Sequence, residues 1–363
     1  MRYRSQSQST ERKSRVAQAF INAIGTAVPD HDIHQAFIGW ALDRIPDPRQ
    51  RKLFDRMVGR SGIEHRWSVL PRADNGGTPI EPGGFYHGDM LPSTAPRMRL
   101  YGEVAPALAL KAIGGLEFDP AEITHIVVAS CTGFVAPGVD QIVARRLGLR
   151  PSVERLLVGY MGCYAAVVAL RSARHIVRSD PSAKVLVVTV EICSLHLHEM
   201  HEVESLLAGL QFGDGAAAAL VTAEPDGIEI DTPFATTLAE SDRLIRWDIT
   251  DEGFAMHLSG EVPGRIGAAL AEPELREAIV DGGVDQWAVH AGGRSILDAV
   301  ENSLQLPPDS LAESRAVLRD FGNMSSSTLM FVLARLFDRP IERGVAIAFG
   351  PGLAAEGFRF RSA

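Results

Sequence analysis

The sequence predicts an α/β fold assembled from two copies of one strand-helix unit, and three observations carry that reading. From Thr124 onward, short apolar β-branched runs alternate with amphipathic helical patterns, the rhythm of strands layered with helices. The rhythm occurs once in each half of the chain, the mark of an internal repeat. Polar residues at corresponding strand ends and helix starts are also evenly offset: Cys131 precedes Cys163 by nearly the same interval as His290 precedes Asn323.

Taken in order, the elements follow from local chemistry. Residues 1–15 (MRYRSQSQSTERKSR) set five basic residues against Glu11 and hold no apolar run. They read as a flexible basic tail that lacks the hydrophobic segment of a signal peptide. Ala19–Val28 is apolar and closed by Pro29, a buried strand, because proline ends any helix there. Leu70–Pro96 collects Gly76, Gly77, Gly83, Gly84 and several prolines without a period, so it reads as a long loop. In the first half, ITHIVVAS is a strand running into Cys131, followed by the helical DQIVARRLGL. RLLVGYMG is a strand running into Cys163 and the helix YAAVVALRSARHIV, and AKVLVVTVEIC is a buried strand. In the second half, VDQWAVHA runs into His290 and the helix RSILDAVENSLQL. A linker then leads to FGNMSSS, the helix TLMFVLARLF and the buried strand GVAIAFGPG. The halves span residues 16–222 and 223–363. Packed as a pseudo-twofold pair of sheets with helices between and outside, they make Cys163 equivalent to Asn323 and His290 equivalent to Cys131. Reactive groups in α/β layers gather at strand ends and helix starts, so three polar groups are expected to meet where the halves join.

Composition narrows the chemistry. The 363 residues are 46% apolar and 22% charged, ample for a large core. A net charge of −9 is the wrong sign for a nucleic-acid partner. No apolar run reaches the roughly 18 residues of a spanning helix, so no integral membrane association is expected. Cys131, Cys163 and Cys193 form no CxxC pair and are odd in number. They suit neither a disulfide framework nor a thiolate zinc site, and they point to a reducing, cytoplasmic setting. His196, His198 and His201 in HLHEMH lack metal-ligand spacing, and alternate residues of a strand would face opposite sides, so no metal is expected. Phosphate-loop glycine motifs are absent from the sequence.

Cys163 follows a strand and a glycine at the first turn of an amphipathic helix. Free N–H groups and the helix dipole favour a thiolate there, below the thiol's usual value of about 8.5. An isolated cysteine is more often an inert core residue, but the strand-to-helix turn and the repeat favour a nucleophile. His290 ends a strand before Gly292 and Gly293 and is suited to take the thiol proton. Asn323 has an alternative use as a helix N-cap, but Ser325 or Ser326 can cap instead and leave it free. An imidazole and a carboxamide donating to one oxygen form a hole for an oxyanion or enolate. Cys, His and Asn in this order therefore suit carbon–carbon bond formation on thioesters better than peptide hydrolysis.

The segments GYMGCYAA, QFGDGAAAALV, VHAGGRSILDAVE, FGNMSSST and FGPGL together resemble the type III polyketide synthases, the chalcone/stilbene synthase family, in its bacterial form. The resemblance runs from about Val16 to the end. It implies a thiolase-like fold with a five-layer αβαβα core, a homodimer, and acyl-CoA and malonyl-CoA substrates with no further cofactor. It also implies Cys163 as acyl carrier, with His290 and Asn323 serving decarboxylation and the oxyanion. Phe212 matches a gating aromatic, and Arg56 and Arg60 match positions that meet CoA phosphates. Thr132, Cys193, His196, Ser325, Gly293 and Gly350 fall at cavity positions. Departures are Met256 at a second gating aromatic, Cys193 for a usual threonine, AFGPGL for a longer glycine run, and Leu53 for a lysine. The expected reaction is iterative decarboxylative condensation, ending in a pyrone, resorcinol or phloroglucinol-type ring. A single-step β-ketoacyl synthase III-like enzyme and a non-catalytic partner subunit are the alternatives.

Overall fold

Runs of Val, Ile, Ala and Phe build one nine-stranded sheet, which a computed structural model describes over residues 17–88, 90–280 and 282–363. The tail expected at residues 1–15 lies outside the described residues. In chain order the strands are β1 (Phe20–Ala27), β2 (His31–Asp32), β3 (Trp67–Ser68), β4 (His125–Ser130), β5 (Glu154–Gly159), β6 (Val185–Ile192), β7 (Asp214–Thr222), β8 (Ile228–Thr237), β9 (Ile245–Thr250), β10 (Gly253–Leu258), β11 (Gln286–Val289), β12 (Gly344–Gly350) and β13 (Ala354–Ser362). The helices are α1 (His34–Asp43), α2 (Pro48–Arg60), α3 (Thr94–Ile113), α4 (Val139–Arg146), α5 (Ala165–Ser179), α6 (Val203–Gly209), α7 (Val262–Ala271), α8 (Pro273–Val280), α9 (Arg294–Leu304), α10 (Ala312–Phe321) and α11 (Ser327–Leu336).

The sheet order is β11-β12-β13-β8-β1-β7-β6-β4-β5. Its halves repeat one topology. β1 pairs antiparallel with β7, β7 antiparallel with β6, and β6 parallel with β4. β8, β13, β12 and β11 pair in the same senses. The two half-sheets become one where Phe20 and Ile21 of β1 meet Glu229 and Ile228 of β8. β5 has no full counterpart in the second half, where Asn323 makes a single parallel bridge to Phe212.

Period-two burial sorts these strands into layers. In β4, Val127 and Ala129 face a central layer of α5 and α11, while Ile126 and Val128 face α3 and α4. In β12, Ala346 and Ala348 face the same central helices, while Val345 and Ile347 face α7 and α9. The result is five layers, αβαβα, with α5 and α11 held between half-sheets. α1, α2 and α6 form a further cluster around Phe37, Trp40, Phe54 and Leu206.

Two readings are corrected here. The stretch taken as a linker before FGNMSSS contains α10. Its outward charges hid a short apolar face, and Arg315 ties it to Asp298 and Glu301 of α9. His196 and His198 do not alternate on a strand: Cys193–His196 is a 3-10 turn.

Leu170 of α5 is fully buried in the central layer. Leu170→Ala is expected to cost about 3 kcal/mol by denaturant unfolding with the secondary structure retained. A loss below about 1 kcal/mol would show that the central layer is not close-packed there.

Candidate active site

The duplicated topology delivers residues to one place twice over. Cys131 follows the end of β4, and His290 follows the end of its counterpart β11. Cys163 sits between β5 and α5 in a one-turn 3-10 helix, Gly162–Tyr164. Asn323 precedes α11 as Cys163 precedes α5. Glycines allow the close approach. Gly162 has φ +75°, and a Cβ there would lie 2.4 Å from Pro351 Cδ. A Cβ on Gly350 would lie 2.7 Å from the Tyr164 ring. Both positions must be bare for the Pro351 turn to press against the Cys163 turn.

Cys163, His290 and Asn323 line one cavity of about 590 Å³, with walls from Phe212, Met256, Leu207, Ile266 and Phe349. Asn323 is firmly set. Its Oδ1 accepts from the Ser325 N–H at 2.8 Å, and its Nδ2 donates to the Gly292 carbonyl at 3.2 Å. An amide has two N–H bonds, so one remains for a ligand. Neither expected serine cap forms: the Ser326 hydroxyl donates to Glu191, and Ser325 stands at φ +47°. The Ser325 hydroxyl lies 3.2 Å from Cys131 Sγ and 3.8 Å from Cys163 Sγ. His290 is buried, and neither ring nitrogen has a partner among the described residues.

The expectation of a lowered Cys163 pKa is corrected. Burial pushes the thiol up to about 12, outweighing the Ser325 and Asn323 donors that favour the thiolate, and the nearby Glu191 carboxylate adds to the rise. Burial also pulls the His290 imidazole down to about 3. Both shifts favour a neutral thiol beside a neutral imidazole at pH 7.

Beyond Phe212 and Met256 lies a second cavity of about 340 Å³, which also contacts both side chains and Ala208. Ile33, Phe37, Leu70, Ile80, Leu197 and Met200 make much of its wall. Met256 reaches both cavities from the β9–β10 hairpin, which is pinned by Trp247 Nε1–H donating to the Cys131 carbonyl at 2.9 Å. Cys193 and His196 line the second cavity only. His196 stacks on Phe254 at 4.3 Å, and its two nitrogens are engaged by the Thr132 carbonyl and the Phe254 N–H. Gly350 lines the Cys163 cavity, whereas Gly293 and Arg60 line an adjoining surface cleft with Arg294. Arg56 is exposed on α2 and borders none of these cavities. Thr132 also departs from its expected cavity position: it is buried, and its hydroxyl donates to Glu191 at 2.8 Å and accepts from the Ile192 N–H.

Glu191 and Arg66 escaped the sequence reading. Glu191 is wholly buried and accepts from the Cys131 N–H, Thr132 and Ser326, bracing the turns on both sides of the Ser325 hydroxyl. Burial raises its carboxyl. The available signal was a lone acid inside the otherwise apolar VLVVTVEI strand.

Five αβαβα layers, with a thiol, an imidazole and a carboxamide converging beside two cavities, define a condensing enzyme that works on thioesters. Residues 6–225 match the N-terminal domain of the chalcone and stilbene synthases, and residues 229–363 match their C-terminal domain. The chain is 34% identical over 368 aligned positions to "Alpha-pyrone synthesis polyketide synthase-like Pks18" of Mycobacterium tuberculosis, covering 94% of this chain and 91% of that protein. PKS-I from the brown alga Ectocarpus siliculosus superimposes with a TM-score of 0.85 at 29% identity, covering 97% of this chain and 100% of that one. The type III domain of Steely1 from Dictyostelium gives 0.84 at 28% identity, covering 95% and 99%. The chain belongs to the chalcone and stilbene synthase family. It is a type III polyketide synthase, an acyltransferase.

A thiol held near 12 reacts through a scarce thiolate. Alkylation of Cys163 by iodoacetamide, followed by peptide mass spectrometry, is expected to rise about tenfold per pH unit from pH 7 to 10. A rate already level at pH 7 would show a resting thiolate–imidazolium pair instead.

Proposed function

We propose that this enzyme loads a medium- or long-chain aliphatic acyl group from CoA onto Cys163, extends it with malonyl-CoA and releases an α-pyrone. The observation that carries the starter is the apolar cavity behind Phe212 and Met256, adjoining the Cys163 cleft. The ring type is supported by the mycobacterial relative, whose name specifies α-pyrone synthesis.

On this reading, His290 takes the Cys163 proton as the sulfur attacks the starter carbonyl, and the imidazolium returns that proton to the departing CoA thiolate, leaving His290 neutral. Malonyl-CoA then loses carbon dioxide. The electron pair left behind forms a thioester enolate, whose oxygen receives the His290 N–H and the free Asn323 N–H. A neutral imidazole suits that donation, and burial keeps His290 neutral. The enolate carbon attacks the acyl–Cys163 carbonyl, and the sulfur leaves as thiolate. CoA thioesters supply every carbon unit, so the sequence of steps calls on no further cofactor. Arg60 and Arg294 both line the adjoining surface cleft, which supports its reading as the place that meets CoA phosphates. The three free cysteines suit a reducing cytoplasm.

Ala36 lines only the second cavity, so Ala36→Phe fills it without touching Cys163. With wild-type enzyme, decanoyl- to palmitoyl-CoA are expected to outcompete acetyl- and benzoyl-CoA for pyrone formation. Ala36→Phe is expected to cut kcat/KM for long starters about tenfold and leave acetyl-CoA nearly unchanged. Preference for acetyl- or benzoyl-CoA in the wild type would overturn the starter assignment.

The same reading includes a homodimer built on β5. This strand is an edge of the sheet, and Leu156 and Leu157, on opposite faces of it, are 42% and 44% exposed with Phe134 nearby at 41%. The exposed Leu156–Leu157 stretch of this edge, beyond the charged Glu154 and Arg155, is a template for a second copy. Light scattering is expected to give twice 39.2 kDa, and Leu156→Glu with Leu157→Lys to give the monomer. A wild-type monomer at micromolar concentration would refute it.

A further inference from the structure

The Arg66 guanidinium is buried with no carboxylate hydrogen-bonded to it among the described residues, which is costly unless its donors are used. Its Nη1 donates to the Gly209 carbonyl at 3.0 Å and to the Phe212 carbonyl at 2.9 Å. Its Nε donates to His34 Nδ1 at 3.0 Å, and its guanidinium lies 4.6 Å from the centre of the Phe37 ring. Only Nη2 is without a partner among the described residues. Burial pulls His34 down to about 4, which keeps that nitrogen an acceptor at neutral pH.

What Arg66 grips is the strand segment that Asn323 pairs with. The Asn323 N–H donates to the Gln211 carbonyl at 2.7 Å, and the Gly213 N–H donates to the Asn323 carbonyl at 3.0 Å, on either side of Phe212. The Arg66 stem fills the space between these two stretches. A Cβ on Gly322 would lie 3.0 Å from Arg66 Cγ, and one on Gly213 would lie 3.5 Å from Arg66 Cβ. Neighbouring backbone is locked to the same loop, because the Glu64 and His65 N–H groups donate to the Arg319 carbonyl and the Trp67 indole donates to the Asp320 carbonyl.

We propose that Arg66 is a positioning residue that fixes the Phe212 gate and the Asn323 carboxamide relative to each other, so that the enolate is held at the acyl–Cys163 bond. It touches no reacting atom and acts through the Phe212–Asn323 backbone pair. This rests on Asn323 being a donor to the enolate, as set out above.

The test compares Arg66→Met, Arg66→Lys, Asn323→Ala and the double variant Arg66→Met/Asn323→Ala as full-length enzymes. Loading of an acetyl starter on Cys163, too short to enter the second cavity that Arg66 also borders, is followed by intact mass, and decarboxylation of malonyl-CoA by steady-state kinetics. Arg66→Met is expected to lower kcat for decarboxylation about tenfold or more, leave KM within about twofold and leave starter loading nearly intact. Arg66→Lys is expected to recover part of the loss. In the Asn323→Ala background, Arg66→Met is expected to add little, because both changes remove one effect. Multiplying losses in the double variant, or equal losses in loading and decarboxylation, would overturn the proposal and reduce Arg66 to general scaffolding. An unchanged Asn323→Ala rate would instead sink the role of Asn323 itself. If Arg66→Met does not fold, His34→Ala, which frees one side of the guanidinium and keeps its charge, is expected to show the same split at about threefold, and equal losses there count against the proposal.

Discussion

Desolvation of Cys163 and His290 is the constraint on which the rest of the site depends. A thiol and an imidazole placed in water would differ by about two pH units in proton affinity. Burial here drives them apart, to about 12 and about 3, and leaves both uncharged. Separating charge in that cleft is unfavourable until a thioester supplies an electrophile for the sulfur and an oxygen for the donors. The same low polarity strengthens any hydrogen bond to an enolate once it forms. A fixed carboxamide and a neutral imidazole therefore do more in this cleft than a permanently charged residue, which would bind malonyl carboxylate as tightly as the enolate that follows it.

Such a cleft needs polar groups aimed inward from elements that are otherwise apolar, and the duplicated topology supplies them. Parallel pairs β6–β4 and β12–β11 end side by side, so residues just beyond β4 and β11 arrive at the seam between the halves. Two central helices, α5 and α11, begin at that seam, with Cys163 and Asn323 ahead of them. Bare backbone at Gly162 and Gly350 brings the turns into contact. Left-handed conformations at Tyr160, Ser325 and Leu353 show where the surrounding layers impose geometry on the site.

The repeat and the convergence of Cys163, His290 and Asn323 were legible in the sequence because each residue sits at a strand end or ahead of a helix, in a segment marked by hydrophobic period and glycine. What was illegible depends on distance in the chain. α10 was hidden because its outer charges outnumber the short face, Val317 and Leu318, that it buries. The Cys163 pKa was misjudged because a helix start is a local feature, whereas burial is produced by segments more than a hundred residues away. Thr132 looks like a cavity residue by position, yet its hydroxyl is turned to Glu191, a partner in another strand. Arg66 lies in an unremarkable SGIEHRWS stretch, and its meaning emerges only once the Gly209 and Phe212 carbonyls are seen to converge on it.

On the proposed mechanism, selectivity is built from different material than catalysis. Cys163, His290 and Asn323 come from turns clamped by sheet ends, while Met256 comes from a two-stranded hairpin laid over the cleft. A thioether with three rotatable bonds yields where an aromatic ring would not. Phe212, by contrast, stands on backbone bridged to Asn323 and held by Arg66. One wall between the two cavities is thus rigid and tied to the chemistry, and the other is adaptable and tied to a peripheral hairpin. On the proposed mechanism, substitutions in that hairpin change which acyl chain passes without disturbing the Asn323 carboxamide. Changes around Phe212 cannot, because the backbone that sets the gate also sets Asn323.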